Sequence, residues 1–436
     1  MERLIFNKLN DWKHSTDRKP LLLRGARQVG KTWLMKEFGK RAYQNVVYIN
    51  FESDKNLLNL FTTDYNTQRI ISAIQIEAEI IIDPENTLII FDEIQECEGA
   101  ITSLKYFCEN APQYQIVAAG SLLGVALHKH TSFPVGKVDF LDIYPMNFDE
   151  FLLAMNQKQL YELIKRYDWV MMTTFKAKLT EILRQYYFVG GMPEAVLSFS
   201  IEKDFIKVRA IHDRLLSTYE QDFSKHAPYE IVPRIRMIWQ SIPAQLSKEN
   251  KKFVYGALKP GARAKEFEMA MTWLIDTGLL HKIHRITKPG IPLISYMDFA
   301  AFKLYFVDIG LLGAMGSIDA KTLLDGNTIF EEFKGAVTEQ YVLQQLKTKK
   351  KLPLYYWSND KSTAEIDFVI QLGGEIIPLE VKAQENLQAK SLKSYYQQFN
   401  PKTSIRTSMS DFRIDDWLTN VPLYAIGDYI DMLNIE

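Results

Sequence analysis

The stretch LLLRGARQVGKTWLMKEF, residues 21–38, constrains this chain more than any other segment. A short apolar run enters a glycine-containing loop, and the loop opens into a pattern with Trp33, Leu34, Met35 and Phe38 at helical spacing. Strand, loop and helix in that order are the setting a phosphate-binding loop requires, and Gly25, Gly30, Lys31 and Thr32 satisfy GxxxxGK[ST]. Glycine lets successive backbone N–H groups turn toward an anion, and the helix N-terminus that follows adds its dipole. The spacing predicts that Gly25, Ala26, Arg27, Gln28, Val29, Gly30, Lys31, Thr32 and Trp33 bind the nucleotide. Lys31 would reach the outer phosphates of ATP and act in catalysis, and the Thr32 hydroxyl would ligate magnesium. A chance glycine turn would not carry both flanks.

A site of this kind needs an acidic partner on a neighbouring buried strand, and TLIIFDEIQE supplies one. Leu88 to Phe91 form a continuous apolar run of the sort found in parallel sheets, and it ends in Asp92 and Glu93. Asp92 is expected to hold magnesium, and Glu93 to orient or deprotonate the attacking water. In YQIVAAGSLLG a further buried strand, Ile116 to Ala119, leads to Ser121. That hydroxyl is a candidate γ-phosphate sensor, with a helix cap or turn as the alternative.

The chain has 436 residues, too many for one ordinary core, so two to four domains are expected. A net charge of -1 gives no global electrostatic case for nucleic acid or an anionic membrane, so any such contact must be local. The two cysteines, Cys97 and Cys108, support neither a zinc cage nor a disulfide framework, and a reducing cytoplasm fits them. Nothing approaches the roughly 20 apolar residues of a membrane span.

From about Gln157 to Lys225 apolar residues recur at three- and four-residue spacing, which predicts packed helices without a catalytic constellation. Residues 232–300 predict a winged helix: a helix from Pro233 to Leu246, a turn, a second helix and a hairpin. Lys251, Lys252, Lys259, Arg263 and Lys265 crowd the turn, where such a reader would meet DNA phosphates; a hinge role with solvated lysines is the alternative. Near the C-terminus, AEIDFVIQLGGEIIPLEVKA predicts a hairpin. Its period of two sets Glu365 and Asp367 on one face and Glu380 and Lys382 on one face of the returning strand. Asp367 and Glu380 are expected to hold a magnesium ion, with Glu339 on an upstream helix as a further ligand and Lys382 polarising water or a scissile phosphate. A hairpin laced by ordinary ion pairs is the alternative.

GARQVGKT, LIIFDEIQE and AAGSLLG, followed by LDIYPMNFDEF and YFVGGMPEAV, resemble in this order a family of bacterial and archaeal AAA+-like P-loop ATPases. In that family the C-terminal half is a domain of unknown function related to PD-(D/E)xK nucleases. The resemblance covers nearly the whole chain. It implies an α/β fold with an AAA+ type core at 1–155, a helical extension at 156–228, a winged helix at 229–312 and a nuclease-like α/β domain at 325–436. Glu339, Asp367, Glu380 and Lys382 match the nuclease positions one by one, although Ile366 stands where the motif has proline. Lys137 stands where family members often carry an arginine, which puts a transition-state finger here in doubt and leaves homo-oligomeric rings open.

Two readings of the whole chain follow. In one, ATP binding and hydrolysis drive a nuclease-like domain acting on DNA. In the other, the chain is an ATP switch whose C-terminal regions bind DNA or protein without cleaving.

Overall fold

A computed structural model of the chain describes residues 1–120, 133–248, 251–325, 331–349, 352–359, 362–384 and 388–433. It divides into two compact units, Arg3–Tyr144 with Asp276–Leu279, and Met1–Glu2 with Pro145–Ile275 and Leu280–Glu436. No helix among the described residues is long and apolar enough to cross a membrane.

The smaller unit is built on five strands: β1 (Leu21–Arg24), β2 (Asn45–Asn50), β3 (Thr87–Asp92), β4 (Gln115–Ala119) and β5 (Asp139–Asp142). All are parallel, in the order β2-β3-β4-β1-β5. Every residue of β3 and β4 is buried, as a parallel strand covered on both faces must be. Helices Lys31–Ala42, Thr67–Ala78 and Glu98–Asn110 belong to this unit. Ile70, Ile71, Ile74, Ile101, Leu104 and Phe107 from the last two join Leu22, Val47, Ile89, Phe91 and Ile116 of the sheet in one core. Parallel pairing brings the carboxyl ends of β1, β3 and β4 to one edge, where open α/β sheets hold their ligands.

The larger unit carries eight strands: β6 (Leu280–Ile286), β7 (Met297–Phe306), β8 (Leu354–Ser358), β9 (Glu365–Leu372), β10 (Glu375–Val381), β11 (Ile405–Ser408), β12 (Arg413–Asp415) and β13 (Leu418–Pro422). They form a single mixed sheet in the order β12-β13-β11-β10-β9-β8-β6-β7. β9 and β10 are the predicted hairpin, turning at Gly373 and Gly374 with φ of 53° and 82°, values open to glycine.

The helices Val232–Leu246 and Ala264–Asp276 and the hairpin β6–β7 occur in the expected order, but the hairpin is not free. β6 pairs in parallel with β8, so the sheet runs across the boundary expected between 312 and 325. One core unites Ile286 of β6 with Tyr355 and Trp357 of β8, Ile366 and Val369 of β9, and Leu392 and Tyr395 of helix Lys390–Phe399. Apart from Asp276–Leu279, the segments 156–228, 229–312 and 325–436 therefore lie in a single compact unit. A second stitch is electrostatic: the buried Lys349 ammonium lies 2.8 Å from Asp428 and also contacts Asp149, both of which Lys165 contacts too. Burying these charges is tolerable because each has an opposite partner.

Candidate functional site

The loop between β1 and the helix Lys31–Ala42 holds its shape through its own backbone. Gly30 sits at φ 93° and Gln28 at 63°. A Cβ on Gly25 would lie 2.1 Å from the Ile143 carbonyl oxygen, so only glycine fits there. Lys31 is buried and donates to the carbonyls of Gly25 and Ala26, both at 2.8 Å. Burial lowers its pKa to about 8, against the raising effect of Glu93 and Asp92. The ammonium is thus held on the loop's own carbonyls. Thr32 donates to Asp92 Oδ2 at 2.8 Å, so the hydroxyl and the carboxylate expected to share magnesium already touch. That oxygen pair fits a hard cation that keeps several waters.

Asp92 also accepts from the Tyr48 hydroxyl at 2.9 Å, and Lys36 lies 3.6 Å from the centre of the Tyr48 ring. Glu93 follows in a left-handed conformation, φ 49°, which non-glycine residues adopt only at a cost and which clusters at functional sites. Its Oε2 accepts from Gln95 Nε2 at 2.6 Å, and Gln95 Oε1 is buried with no hydrogen-bond partner among the described residues. Arg3, also buried, donates to the carbonyl of Val29 at 3.1 Å and to that of Tyr144 at 2.9 Å, bracing the loop from behind. Neither Arg3 nor Tyr48 stands at a motif position, and no spacing in the sequence points to them. Gln95 lies inside DEIQE, where its amide is the readable signal.

Ser121 lies outside the described residues. Trp33 is 40% exposed beside the loop, edge-on to Phe6. Lys137 pairs with Glu109 at 3.0 Å.

In the larger unit, Glu339 approaches the hairpin residues Asp367, Glu380 and Lys382. The register that pairs Leu379 with Phe368 runs on to set Glu380 beside Asp367. Val381 N–H donates to Asp367 Oδ2 at 2.8 Å, and Lys382 lies 2.8 Å from Glu380 Oε1. Three further residues arrive that the spacing did not indicate. Lys251 is ion-paired with Glu339 Oε1, and the Tyr305 hydroxyl donates to Glu339 Oε2 at 3.1 Å. Lys303, fully buried, lies 2.5 Å from Glu365 and 3.7 Å from Glu339. Burial alone would raise Glu339, but Lys251 and Lys303 outweigh it and hold the carboxyl down to about 2. Burial and the Glu339 charge push Asp367 well above the usual carboxylate range.

The expected magnesium set of Glu339, Asp367 and Glu380 does not fit a divalent ion in this arrangement. Lys251 holds the Glu339 oxygen such an ion would take, and no group of three His, Cys, Asp or Glu among the described residues is arranged to hold a metal. The same ion pair changes the outlook for DNA contact. Lys251 is turned inward, and Lys259 pairs with Glu266 at 2.8 Å, so at least two of the five basic side chains around the turn are already matched.

The GGMPE segment is a structural knot. Gly191 N–H donates to Asp308 Oδ2 at 2.6 Å, Gln344 donates to the same oxygen at 3.0 Å, and Asp308 Oδ1 caps the helix Ile309–Met315 through Gly310 and Leu311 N–H.

Comparison with known proteins bears on these regions separately. Residues 17–152 match the model of a family described as an AAA domain. Residues 180–322 and 334–426 match two further models, each described as a domain of unknown function. No curated protein matches the chain. Among solved structures it is similar to a Walker-type ATPase of Pyrococcus abyssi, at 15% identity over 71% of this chain and 94% of that one, with a TM-score of 0.44. It is also similar to the Aeropyrum pernix ORC1 protein in complex with DNA, at 11% identity over 72% and 90%, TM-score 0.30. A third is Thermotoga maritima RuvB, at 14% identity over 65% and 89%, TM-score 0.29. The chain thus carries, in residues 17–152, an AAA-type P-loop domain.

Proposed function

We propose that this protein is a magnesium-dependent ATPase acting as a switch, whose nucleotide state governs what the larger unit binds. One observation carries the reading: Lys31, Thr32 and Asp92 are already assembled around the loop, with the Thr32–Asp92 hydrogen bond at 2.8 Å. ATP would displace the Gly25 and Ala26 carbonyls from Lys31, and its outer phosphates would take the ammonium and the loop N–H groups. Thr32 and Asp92 would hold magnesium, which neutralises charge on the phosphates. Glu93 would take the proton of the attacking water, with Gln95 holding its carboxylate in place.

For the larger unit, binding without cleavage is favoured. Strand cleavage of DNA is the second reading, and the gathering of Glu339, Asp367, Glu380 and Lys382 speaks for it. Against it stand Lys251 and Lys303, which already compensate the carboxylates a metal-dependent nuclease would use. The partner in the switch reading is DNA or protein.

The test measures ATP binding and turnover by the wild-type chain, Lys31→Ala and Glu93→Gln, beside cleavage of labelled single-stranded, duplex and branched DNA in magnesium or manganese. Loss of binding or turnover in Lys31→Ala and binding without turnover in Glu93→Gln are expected, with no cleavage. Tight ATP binding by Lys31→Ala would sink the ATPase assignment, and cleavage that depends on Glu380 would replace the switch by a nuclease.

A further inference from the structure

The carboxylate proposed to hold magnesium is itself held by a residue outside both nucleotide motifs. Along β2, Val47 and Ile49 are buried in the core, and the period of two sets Tyr48 and Asn50 on the opposite face. Parallel pairing brings Asn50 level with Asp92, the last residue of β3. Asp92 Oδ2 accepts from the Thr32 hydroxyl at 2.8 Å and from the Tyr48 hydroxyl at 2.9 Å, while Oδ1 accepts from Glu93 N–H at 3.1 Å. The direction of the Tyr48 bond is fixed from its far end. Asn50 Oδ1 accepts from Glu52 N–H at 2.9 Å, so the amide is oriented with Nδ2 toward Tyr48, 3.3 Å from the phenolic oxygen. A phenol has one hydrogen to give, and with its oxygen accepting from Asn50 that hydrogen goes to Asp92. The Asn50 backbone is tied in turn, its N–H donating to Asp54 Oδ2 at 3.0 Å. Against the Tyr48 ring, Lys36 lies 3.6 Å from the ring centre, one turn along the helix Lys31–Ala42 from Thr32.

We infer that Tyr48 is a positioning residue for the magnesium site, its hydroxyl aimed by Asn50 at Asp92 so that the carboxylate keeps one orientation. The inference rests on the ATPase reading and adds to it two residues that neither motif contains. Two hydroxyls on Oδ2 and a backbone N–H on Oδ1 fix the plane of the Asp92 carboxylate. Thr32 has a second task as the proposed magnesium ligand, whereas Tyr48 donates to Asp92 alone. The ring fills space that phenylalanine would fill equally well, and its contact with Lys36 needs no hydroxyl. What tyrosine adds at this position is the bond to the acid. Groups that orient a metal-binding residue change metal affinity without touching the ion, and that is the effect expected of Tyr48 and, through it, of Asn50.

The test measures binding of the non-hydrolysable β,γ-imido analogue of ATP to the full-length chain by calorimetry, in EDTA and across a magnesium titration. The chains compared are wild type, Tyr48→Phe, Asn50→Ala and the Tyr48→Phe/Asn50→Ala double variant, each checked for folding by circular dichroism. Tyr48→Phe keeps the ring and is expected to bind the nucleotide in EDTA as wild type does, while its magnesium half-saturation rises about tenfold. Asn50→Ala is expected to shift the magnesium requirement in the same direction and to add nothing to Tyr48→Phe, the mark of two residues acting through one bond. An unchanged magnesium requirement in Tyr48→Phe, or an equal loss of affinity in EDTA, overturns the positioning role. Additive shifts in the double variant would overturn the link from Asn50 to Tyr48. A wild-type chain that binds no nucleotide would instead overturn the ATPase reading, so the two failures are told apart.

Discussion

The Thr32 hydroxyl donates to Asp92 Oδ2 at 2.8 Å, joining the first turn of the helix after the phosphate loop to the last residue of β3. The bond sets side by side the hydroxyl and the carboxylate that are proposed to hold magnesium. Thr32→Ala removes the hydroxyl and leaves the carboxylate. Titration of ATP hydrolysis with magnesium is expected to show half-saturation raised by about 10- to 100-fold, the range over which lost metal-site partners act. An unchanged magnesium requirement would remove Thr32 from the metal site.

Gln95 reaches Glu93 Oε2 at 2.6 Å and holds a side chain whose own backbone is left-handed. Its contact is with Glu93, so its role is positioning. Gln95→Ala is expected to lower kcat about tenfold with KM unchanged, the pattern of an interaction made only in the transition state. A rise in kcat on the same substitution would mean that the amide restrains the carboxylate instead.

Gly191 sits where a Cβ would lie 2.0 Å from the carbonyl oxygen and 2.7 Å from the nitrogen of Met146, both backbone atoms. Nothing flexible is available to yield, and the same turn feeds Gly191 N–H to Asp308. Gly191→Ala should destabilise the larger unit by about 3 kcal/mol or more, toward the severe end for single substitutions. Urea denaturation followed by tryptophan fluorescence reads this, and a midpoint within error of wild type would contradict the packing described.

His212 is fully buried and its Nε2 meets the carbonyl of Val189 at 3.0 Å. Burial, with the nearby Arg209 charge, lowers its pKa to about 3 from the ordinary 6.5 of an imidazole. The native state therefore keeps the ring neutral while the unfolded chain takes up a proton below about pH 6.5. Stability from this group is complete above pH 6.5 and is lost as pH falls toward 3, amounting to about 2 kcal/mol by pH 5. His212→Gln should flatten that part of the stability profile between pH 7.5 and 5. Parallel profiles for the two chains would show that the ring titrates normally in the fold.

The phosphate loop and the strand that ends in Asp92 were legible because their chemistry is local. Eight consecutive residues supply the loop, and the run from Leu88 to Phe91 states its burial in its composition. The β9–β10 hairpin was legible for the same reason, since its turn glycines and the alternation of EIDFVI fix which side chains share a face. The order of helix, helix and hairpin in residues 232–306 was also readable. What the hairpin joins was not, because the pairing of β6 with β8 is a contact between distant segments with no short-range signature.

The sequence by itself determined the nucleotide loop, its acidic partner and the pairing of Asp367 with Glu380, each encoded by spacing within one element or one turn. Only the tertiary structure decided the electrostatic state of the carboxylates in the larger unit. Lys251 reaches Glu339 across 88 residues of chain, Tyr305 reaches Glu339 across 34, and Lys303 comes from β7 of a different hairpin. Charge acts through space and the strength of a pair depends on burial, so three carboxylates that look like a metal site in one dimension become a lysine-filled cluster once the chain is folded.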